Sequence, residues 1–363
     1  MLARNTKINH PLGAVIDLPR LVPAFSSKGF PFLTTPNVRT RTKGKRKNPA
    51  VPRTKTPTER KISEITLALE LVGPFIRDSI LLSAYDLHHG HLRKPERFFA
   101  GKELIFIDSG GYELSPGFDQ TEPVHWGTPK KAFSRDDYLE VLGDLRRDLP
   151  FVISNYDWAS RKAPMVGQIL AAQKLFAKFP GFLKNFIVKP GSHRYVDVDE
   201  IIRHINKLRA FDILGITEKE LGKDLIEKLK TLAKLRLGMD REGVTIPIHV
   251  WGGLDPLFTP LYFLAGAEIF DGISWLRYAY MDGIAVYRDS YSILVGEIES
   301  PLDHARAQTL SHNLGVLRGL DTSFRDFVLQ KGTSFGMFGN RAAVLEKAYR
   351  SLVTQIPAIE GGR

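Results

Sequence analysis

Three aspartates each follow a short apolar run in the sequence: Asp108 follows "LIFI", Asp157 follows "FVISNY" and Asp271 follows "AEIF". A side chain at the end of a strand is held in a fixed position by the sheet. Asp108 is also followed by Ser109 and two glycines, which let the backbone approach something flat or bulky. Carboxylates held at strand ends in this way suit a flat, hydrogen-bonding ligand with reactive chemistry at its edge. The other interpretation of Asp108 is a tight strand-to-helix turn with a solvated carboxylate.

Glycines and an aromatic residue follow similar runs later in the chain. "FIVK" is followed by Pro190 and Gly191, "FDIL" by Gly215, and "PIHV" by Trp251 and Gly252. Acids scattered over a solvated surface would not all fall at strand ends. We therefore expect the three aspartates and these residues to converge on one rim of the fold.

The apolar runs alternate with segments of helical period. The predicted strands are residues 13–17, 79–84, 104–107, 151–155, 185–189, 211–215, 247–251 and 268–274. The predicted helices are residues 134–147, 165–178, 197–210, 217–236 and 255–266. Alternation of this kind indicates a parallel sheet with right-handed crossovers. Eight strands favour an α/β fold of the (β/α)8 TIM-type barrel class over a doubly wound open sheet, with chemistry at the C-terminal strand ends.

The composition excludes several classes of protein. The chain has 363 residues and no cysteine, so disulfides and thiolate metal sites are excluded. It has no signal-peptide pattern, and no apolar run approaches the roughly 18 residues of a membrane span. We expect one barrel domain over residues 1–363, with an N-terminal extension, in a soluble cytoplasmic protein that has no membrane partner.

The net charge of +11 is concentrated in one segment, residues 37–61. Ten basic residues and one acid give this segment a charge of +9, and its three prolines and few large apolar residues cannot build a core. The basic residues are Arg39, Arg41, Lys43, Lys45, Arg46, Lys47, Arg53, Lys55, Arg60 and Lys61. We expect a mobile basic loop that contacts nucleic-acid phosphates; the alternative is a solubilising surface loop.

Four motifs, in the right order along the chain, resemble those of the guanine transglycosylase family. "DSGGYE" resembles the family's Asp-Ser-Gly-Gly-(Phe/Tyr)-Gln, and "NYDWAS" resembles its Phe-Asp strand end. "LGITEKELG" resembles its Gly-Leu-Ala-x-Gly-Glu loop, and "HVWGGLDP…FLAGAEIFDGISWLR" resembles its Gly-x-Gly-x-Pro…Gly-x-Asp-x-Phe-Asp…Arg segment. The resemblance runs from Asp108 to about residue 315 and implies a (β/α)8 barrel, as the strand pattern does.

The resemblance implies a role for each matching residue. Asp271 matches the nucleophile that attacks the sugar C1′ and forms a covalent glycosyl-enzyme, and Asp108 matches the acid/base that handles the proton. Two successive displacements would retain the configuration of the sugar. Asp157 matches the acceptor for the Watson–Crick edge of guanine, and Tyr112 with Trp251 would sandwich the ring. The full set of implied substrate contacts is Asp157, Ser109, Gly110, Gly111, Tyr112, Lys189, Gly215, Trp251 and Gly252.

The departures from the family pattern affect the features that serve tRNA. Glu113 replaces a Gln, and Lys189 with its neighbours replaces a Gln-Gly that touches the base carbonyl, so Lys189 would have to donate there. Arg277 matches the first Arg of a nucleic-acid-binding Arg-x-x-Arg, but Tyr280 replaces the second. The family's cysteine zinc site cannot form, which leaves His312 as a packing or capping residue. We expect neither a metal nor a cofactor.

This pattern resembles the deoxypurine-in-DNA protein A branch, which inserts 7-deazaguanine bases into DNA, and the N-terminal "LVPAFSSKGFPF" resembles that branch too. The resemblance implies a pentosyltransferase that exchanges guanine in DNA for a free 7-deazaguanine base of the preQ0 type. A base inside a duplex must be flipped out to reach Asp271. Helper proteins of a DNA-modification system are expected partners.

Two other functions remain open at this level. One is a tRNA-guanine transglycosylase without structural zinc, with tRNA as the partner. The other is a non-catalytic nucleic-acid-binding barrel or a glycosidase of unrelated substrate, which the presence of all three aspartates disfavours. The "HHGH" stretch at residues 88–91 offers three histidines to a metal, although adjacent histidines on a turn rarely share one ion. His249, on a predicted strand, is expected to be a satisfied core histidine.

Overall fold

A computed structural model describes residues 1–36, 59–115, 130–157 and 163–356. Eight parallel strands form a closed barrel in which each strand pairs with the next along the chain and the last pairs with the first. We number them β1 (Arg20–Phe25), β2 (Ser79–Ser83), β3 (Leu104–Asp108), β4 (Phe151–Ser154), β5 (Leu183–Val188), β6 (Ile213–Thr217), β7 (Ile248–Trp251) and β8 (Ile269–Gly272). The prediction of a (β/α)8 TIM-type barrel is confirmed.

The first predicted strand was wrong, whereas the other seven match barrel strands. Residues 13–17 overlap Val15–Leu18, which pairs antiparallel with Thr6–Asn9 in a hairpin outside the barrel sheet. The actual β1 contains Pro23, a residue that weakens a strand prediction because it cannot donate to a sheet ladder. The segment is nevertheless a strand of the barrel, because β1 pairs with β8 on one side and with β2 on the other.

The N-terminal hairpin closes one end of the barrel. Its Ile8, Ile16 and Leu18 are buried and form one apolar cluster with the first residues of β3, β5, β6 and β8. Burial of each such side chain contributes about 1.5–3 kcal/mol. Because the hairpin covers the N-terminal strand ends, a ligand can approach the barrel only from the opposite rim, where the strands end.

The helices of the described residues cover the outside of the barrel. The α-helices are Glu64–Val72, Ala84–His88, Gly111–Leu114, Arg135–Asp144, Met165–Phe176, Val198–Arg203, Leu225–Arg241, Phe258–Leu264, Ser274–Arg277, Ser290–Leu294, Leu302–Leu329 and Ala342–Val353. Shorter 3-10 turns are Gly73–Phe75, Pro95–Phe98, Ile205–Ala210, Glu218–Glu220 and Phe335–Arg341. None of these helices combines the length and the apolar character that a membrane crossing requires.

The sequence signal at the start of one helix is confirmed, whereas the bounds of two other predicted helices are wrong. Ser134 caps the helix Arg135–Asp144, and its hydroxyl and the Asp137 carboxylate form a reciprocal capping box. The predicted helix 197–210 is instead two elements, because the α-helix ends at Arg203 and a 3-10 helix follows it. The next helix was predicted to start at residue 217, but Thr217 is the last residue of β6. A 3-10 turn follows at Glu218–Glu220, and the α-helix begins at Leu225.

The ends of the predicted basic loop are anchored in a second hairpin. Phe32–Pro36 pairs antiparallel with Glu59–Ser63, so residues 59–61 are strand, and the predicted loop extended too far by these residues. The strand forms because Lys61 pairs with Thr34 and Ile62 pairs with Leu33 in the ladder. Arg39, Arg41, Lys43, Lys45, Arg46 and Lys47 lie outside the described residues.

Candidate active site

The C-terminal rim of the barrel brings together the three predicted aspartates. Asp108 is the last residue of β3, Asp157 follows β4, and Asp271 lies within β8. Asp157 and Asp271 are only 7% and 5% exposed, whereas Asp108 is half-buried. The carboxylates of Asp157 and Asp271 both act electrostatically on Asp108, so the three groups form one cluster.

The environment of Asp108 favours its protonated form. Burial raises the pKa of Asp108 well above its usual range, and the nearby carboxylates of Glu113, Asp157 and Asp271 raise it further. A hydrogen bond from the backbone of Ser109 lowers the pKa of Asp108, but this effect is smaller than that of burial or of the three carboxylates. A carboxyl group that holds a proton near neutral pH can serve as a general acid and, once ionised, as a base.

Asp271 is held by two hydrogen-bond donors. Its Oδ1 accepts hydrogen bonds from His249 Nε2 at 2.9 Å and from the backbone N–H of Gly252 at 3.1 Å. Gly252 has a positive φ of 75°, which a glycine adopts without strain and which turns the chain back toward the aspartate. These two donors fix the orientation of the carboxylate, which is the group that would attack in a displacement reaction.

Asp157 is held by a hydroxyl and an ammonium. The Ser109 hydroxyl donates to Asp157 Oδ1, and Lys189 Nζ lies 3.0 Å from Asp157 Oδ2. A Cβ added to Gly111 would lie 2.9 Å from Asp157 Oδ1. The second glycine of "DSGGYE" therefore makes room for this carboxylate, which gives a physical reason for the glycine pair that the sequence singled out.

Lys189 is a buried cation with three acceptors. In addition to Asp157, its Nζ lies 3.1 Å from Glu220 Oε2 and 2.8 Å from Thr217 Oγ1. Burial by itself would lower the pKa of Lys189, but the carboxylates of Asp157 and Glu220 outweigh it and raise that pKa. A contact between Lys189 and a ligand carbonyl stays a prediction, and it requires the ammonium to exchange one of these acceptors. Sequence reasoning missed Glu220, although it lies within the quoted "LGITEKELG" motif.

Trp251 packs against His249. Their rings stack with centroids 4.4 Å apart, so one face of the indole is covered and only the other face could stack on a flat ligand. A Cβ on Gly215 would lie 2.5 Å from Trp251 Nε1 and 2.7 Å from Asn185 Oδ1. Gly215 thus provides space for these two side chains, and the substrate contact that the family resemblance implies for it stays a prediction.

Tyr112 is half-buried at the rim and lies close to two cations. Lys28 Nζ lies 4.3 Å from the centroid of its ring, and the Arg277 guanidinium lies 3.4 Å from its hydroxyl. Arg277 also donates to the carbonyl of Lys28 at 2.9 Å and is only 6% exposed. Arg277 therefore supports the loop and the ring beside it, and a phosphate contact from this residue would require it to leave that position.

Glu113 connects the site to a buried polar network. It is buried, its carboxylate accepts from the Ser26 hydroxyl, and burial together with the charge of Asp86 raises its pKa to about 7. Asp86 in turn accepts from the backbone N–H of Ser27 at 2.7 Å and lies 3.0 Å from His91 Nδ1. The sequence showed Glu113 as a departure from the family motif but gave no sign of this network.

The histidines of "HHGH" do not converge on one ion. His91 belongs to the buried network, whereas His88 faces Asp137 and Glu140. Among the described residues, His88, Asp137 and Glu140 are the one group whose ligand atoms come close enough to hold a metal, and Asp137 already caps a helix. His312 is confirmed as a packing residue, since its Nε2 lies 2.7 Å from the carbonyl of Tyr280 and its ring packs on Tyr291.

No protein-family model matches the chain, and a search of curated proteins finds no match.

Proposed function

We propose that this protein is a guanine transglycosylase that replaces guanine in DNA with a 7-deazaguanine base. The observation that carries the proposal is the contrast between two carboxyl groups of one rim. Asp271 is held by two donors, while Asp108 is crowded by three carboxylates and its pKa is raised by burial and by their charges. Two carboxyl groups in opposed environments are what a nucleophile and an acid/base require.

The reaction consists of two displacements at C1′. In the first, an Asp271 oxygen forms a bond to C1′, the bond from C1′ to guanine N9 breaks, and Asp108 gives its proton to the departing base. In the second, N9 of the incoming base forms a bond to C1′ and loses its proton to Asp108. The ester bond breaks and Asp271 leaves as a carboxylate, so the sugar keeps its configuration.

Recognition of the base is assigned to Asp157 and the residues around it. The carboxylate of Asp157 would accept from the N–H groups of the guanine edge, as the family resemblance implies. Ser109 and Lys189 already hold Asp157 in place, so its orientation does not have to be fixed when the base binds. Tyr112 and the outer face of Trp251 would cover the ring.

Two features support DNA as the polymer. The described residues stop at Pro36 and resume at Glu59, so the strands Phe32–Pro36 and Glu59–Ser63 of one hairpin flank the basic segment. This hairpin begins shortly after β1 ends at Phe25. Its attachment is therefore near the C-terminal rim, the end that carries Asp271. The resemblance of "LVPAFSSKGFPF" to a DNA-modifying branch supports DNA over tRNA.

A guanine-exchange assay with duplex DNA tests the proposal. The wild-type protein should incorporate labelled guanine and form an adduct that survives denaturation, whereas Asp271→Asn should do neither, because an amide cannot form the ester. Asp303→Asn changes an aspartate that is 73% exposed on the helix Leu302–Leu329 and is the matched control. Exchange by Asp271→Asn at a rate near that of wild type would rule out the assigned nucleophile.

A further inference from the structure

We infer that His249 is a positioning residue for Asp271, which it holds through Oδ1 so that Oδ2 is the oxygen that reacts. This inference rests on the proposed function, in which Asp271 is the nucleophile. Within the described residues, both hydrogen bonds to the Asp271 carboxylate go to Oδ1 and none goes to Oδ2. The carboxylate therefore has one anchored oxygen and one that is left for chemistry.

The ring of His249 is fixed on all sides. Its side chain is fully buried, it stacks on Trp251, and Phe106 meets it edge-on with centroids 5.5 Å apart. Asn185 Nδ2 lies 2.7 Å from His249 Nδ1. A ring held by two aromatic side chains and by hydrogen bonds at both nitrogens cannot turn away from Asp271 without breaking several contacts.

The neighbouring amide defines which nitrogen carries the proton. An amide NH2 group can only donate, so Nδ1 of His249 accepts from Asn185, and the ring proton lies on Nε2, where it faces Asp271. An ionised carboxylate can only accept, so the contact of Nε2 with Asp271 requires the same tautomer.

The ring is neutral in this arrangement. Burial lowers the pKa of His249, and this effect is larger than the opposing effect of its hydrogen bond to Asp271 and of that group's charge. A neutral donor orients the carboxylate without adding a second charge to the buried site. The geometry thus differs from a His–carboxylate pair in which the histidine acts as the base.

The same contacts suit both halves of the proposed reaction. When Oδ2 forms the bond to C1′, Oδ1 becomes the carbonyl oxygen of the ester and still accepts from His249 and from Gly252. When Oδ2 is released, negative charge returns to the carboxylate, and both donors stabilise it. Donors that are already aimed at the place where charge develops do not have to reorganise during the reaction.

Two variants of His249 test the role. His249→Phe keeps a flat ring in the stack but removes the donor, and we expect the rate of adduct formation to fall about 100-fold, the loss typical of one such donor. The KM for free guanine should change less than about threefold, because the base does not touch His249. His249→Gln restores a hydrogen-bond donor, and its rate of adduct formation should be at least about tenfold higher than that of His249→Phe. An adduct rate for His249→Phe within about threefold of wild type would overturn the inference.

A spectroscopic measurement on the wild-type protein separates this inference from the proposed function. The nitrogen-15 chemical shifts of the His249 ring should report a neutral ring with its proton on Nε2, and the Nε2 signal should shift in Asp271→Asn. A proton on Nδ1, or a charged ring at pH 7, would overturn the positioning role whatever reaction the site performs. Absence of adduct and exchange in the wild-type protein overturns the proposed function, and it also removes the reactive role assigned to Oδ2.

Discussion

Replacement of Lys189 by methionine should destabilise the protein strongly at neutral pH. The Lys189 side chain is 4% exposed, and the side chains of its partners Asp157 and Glu220 are 9% and 10% exposed. Methionine preserves most of the volume of the lysine stem but leaves both carboxylates without their cation. Removal of one partner from a buried ion pair typically costs about 3–5 kcal/mol, and here one cation serves two anions, so we expect the upper part of that range.

The effect of Lys189→Met should depend on pH with a definite sign. A buried carboxylate without a cation takes up a proton more readily, so the deficit in stability should shrink as the pH falls from 7 to 5. In the wild-type protein the pKa of Lys189 is raised. Its contribution is therefore fully present below the lysine pKa of the unfolded chain, about 10.4, and is lost only as the pH rises through the folded value.

Urea denaturation at pH 5 and at pH 7 measures both effects. Lys228→Met is the matched control, because Lys228 pairs with Glu218 where the two side chains are 20% and 26% exposed, and a more solvated pair is worth about 1 kcal/mol or less. A loss below about 1 kcal/mol for Lys189→Met at pH 7, or an equal loss at both pH values, would refute the view that Lys189 neutralises the two acids.

Three further predictions concern the site, the polymer and zinc. Gly111→Ala should raise the KM for guanine by about tenfold or more while the protein still folds, because the new Cβ would displace Asp157 Oδ1; a KM equal to that of wild type, by steady-state exchange kinetics, would contradict this. If roughly five basic residues of segment 37–61 contact phosphates, the logarithm of DNA affinity should fall with that of salt at a slope of about −4. Neutralising Lys43, Lys45, Arg46 and Lys47 together should flatten this slope in fluorescence titrations, and an unchanged slope would exclude these contacts. Elemental analysis should find no zinc in active protein, and activity that requires stoichiometric zinc would reveal a site that the sequence did not indicate.

The barrel and the rim could be predicted because their signals are local. Seven barrel strands contain a short apolar run, and the position of each aspartate just after or within such a run follows from the order of residues alone. Ser134 and Asp137 likewise mark the start of a helix by local chemistry. The first strand was misplaced because Pro23 and the charged Arg20 interrupt its apolar pattern, and only its pairing with β8 and β2 makes it a strand.

The partners of the aspartates could not be predicted, since they come from distant parts of the chain. Lys189 meets Asp157, Thr217 and Glu220 only because β4, β5 and β6 are neighbours in the closed barrel. His249 was correctly predicted as a buried, satisfied histidine, but its contact with Asp271 depends on the side chains of β7 and β8 facing the same interior. Periodicity identifies which residues are buried, whereas the register between strands decides which of them touch.

Mass spectrometry of nucleosides tests the central claim most directly. DNA and tRNA would be purified from cells with the gene, from cells without it and from cells that carry the Asp271→Asn form. We predict a 7-deazaguanine deoxynucleoside in the DNA of the first cells only, with tRNA unchanged among the three. A 7-deazaguanine nucleoside that depends on the gene in tRNA and not in DNA would contradict the account, as would a modified DNA that persists in the Asp271→Asn cells.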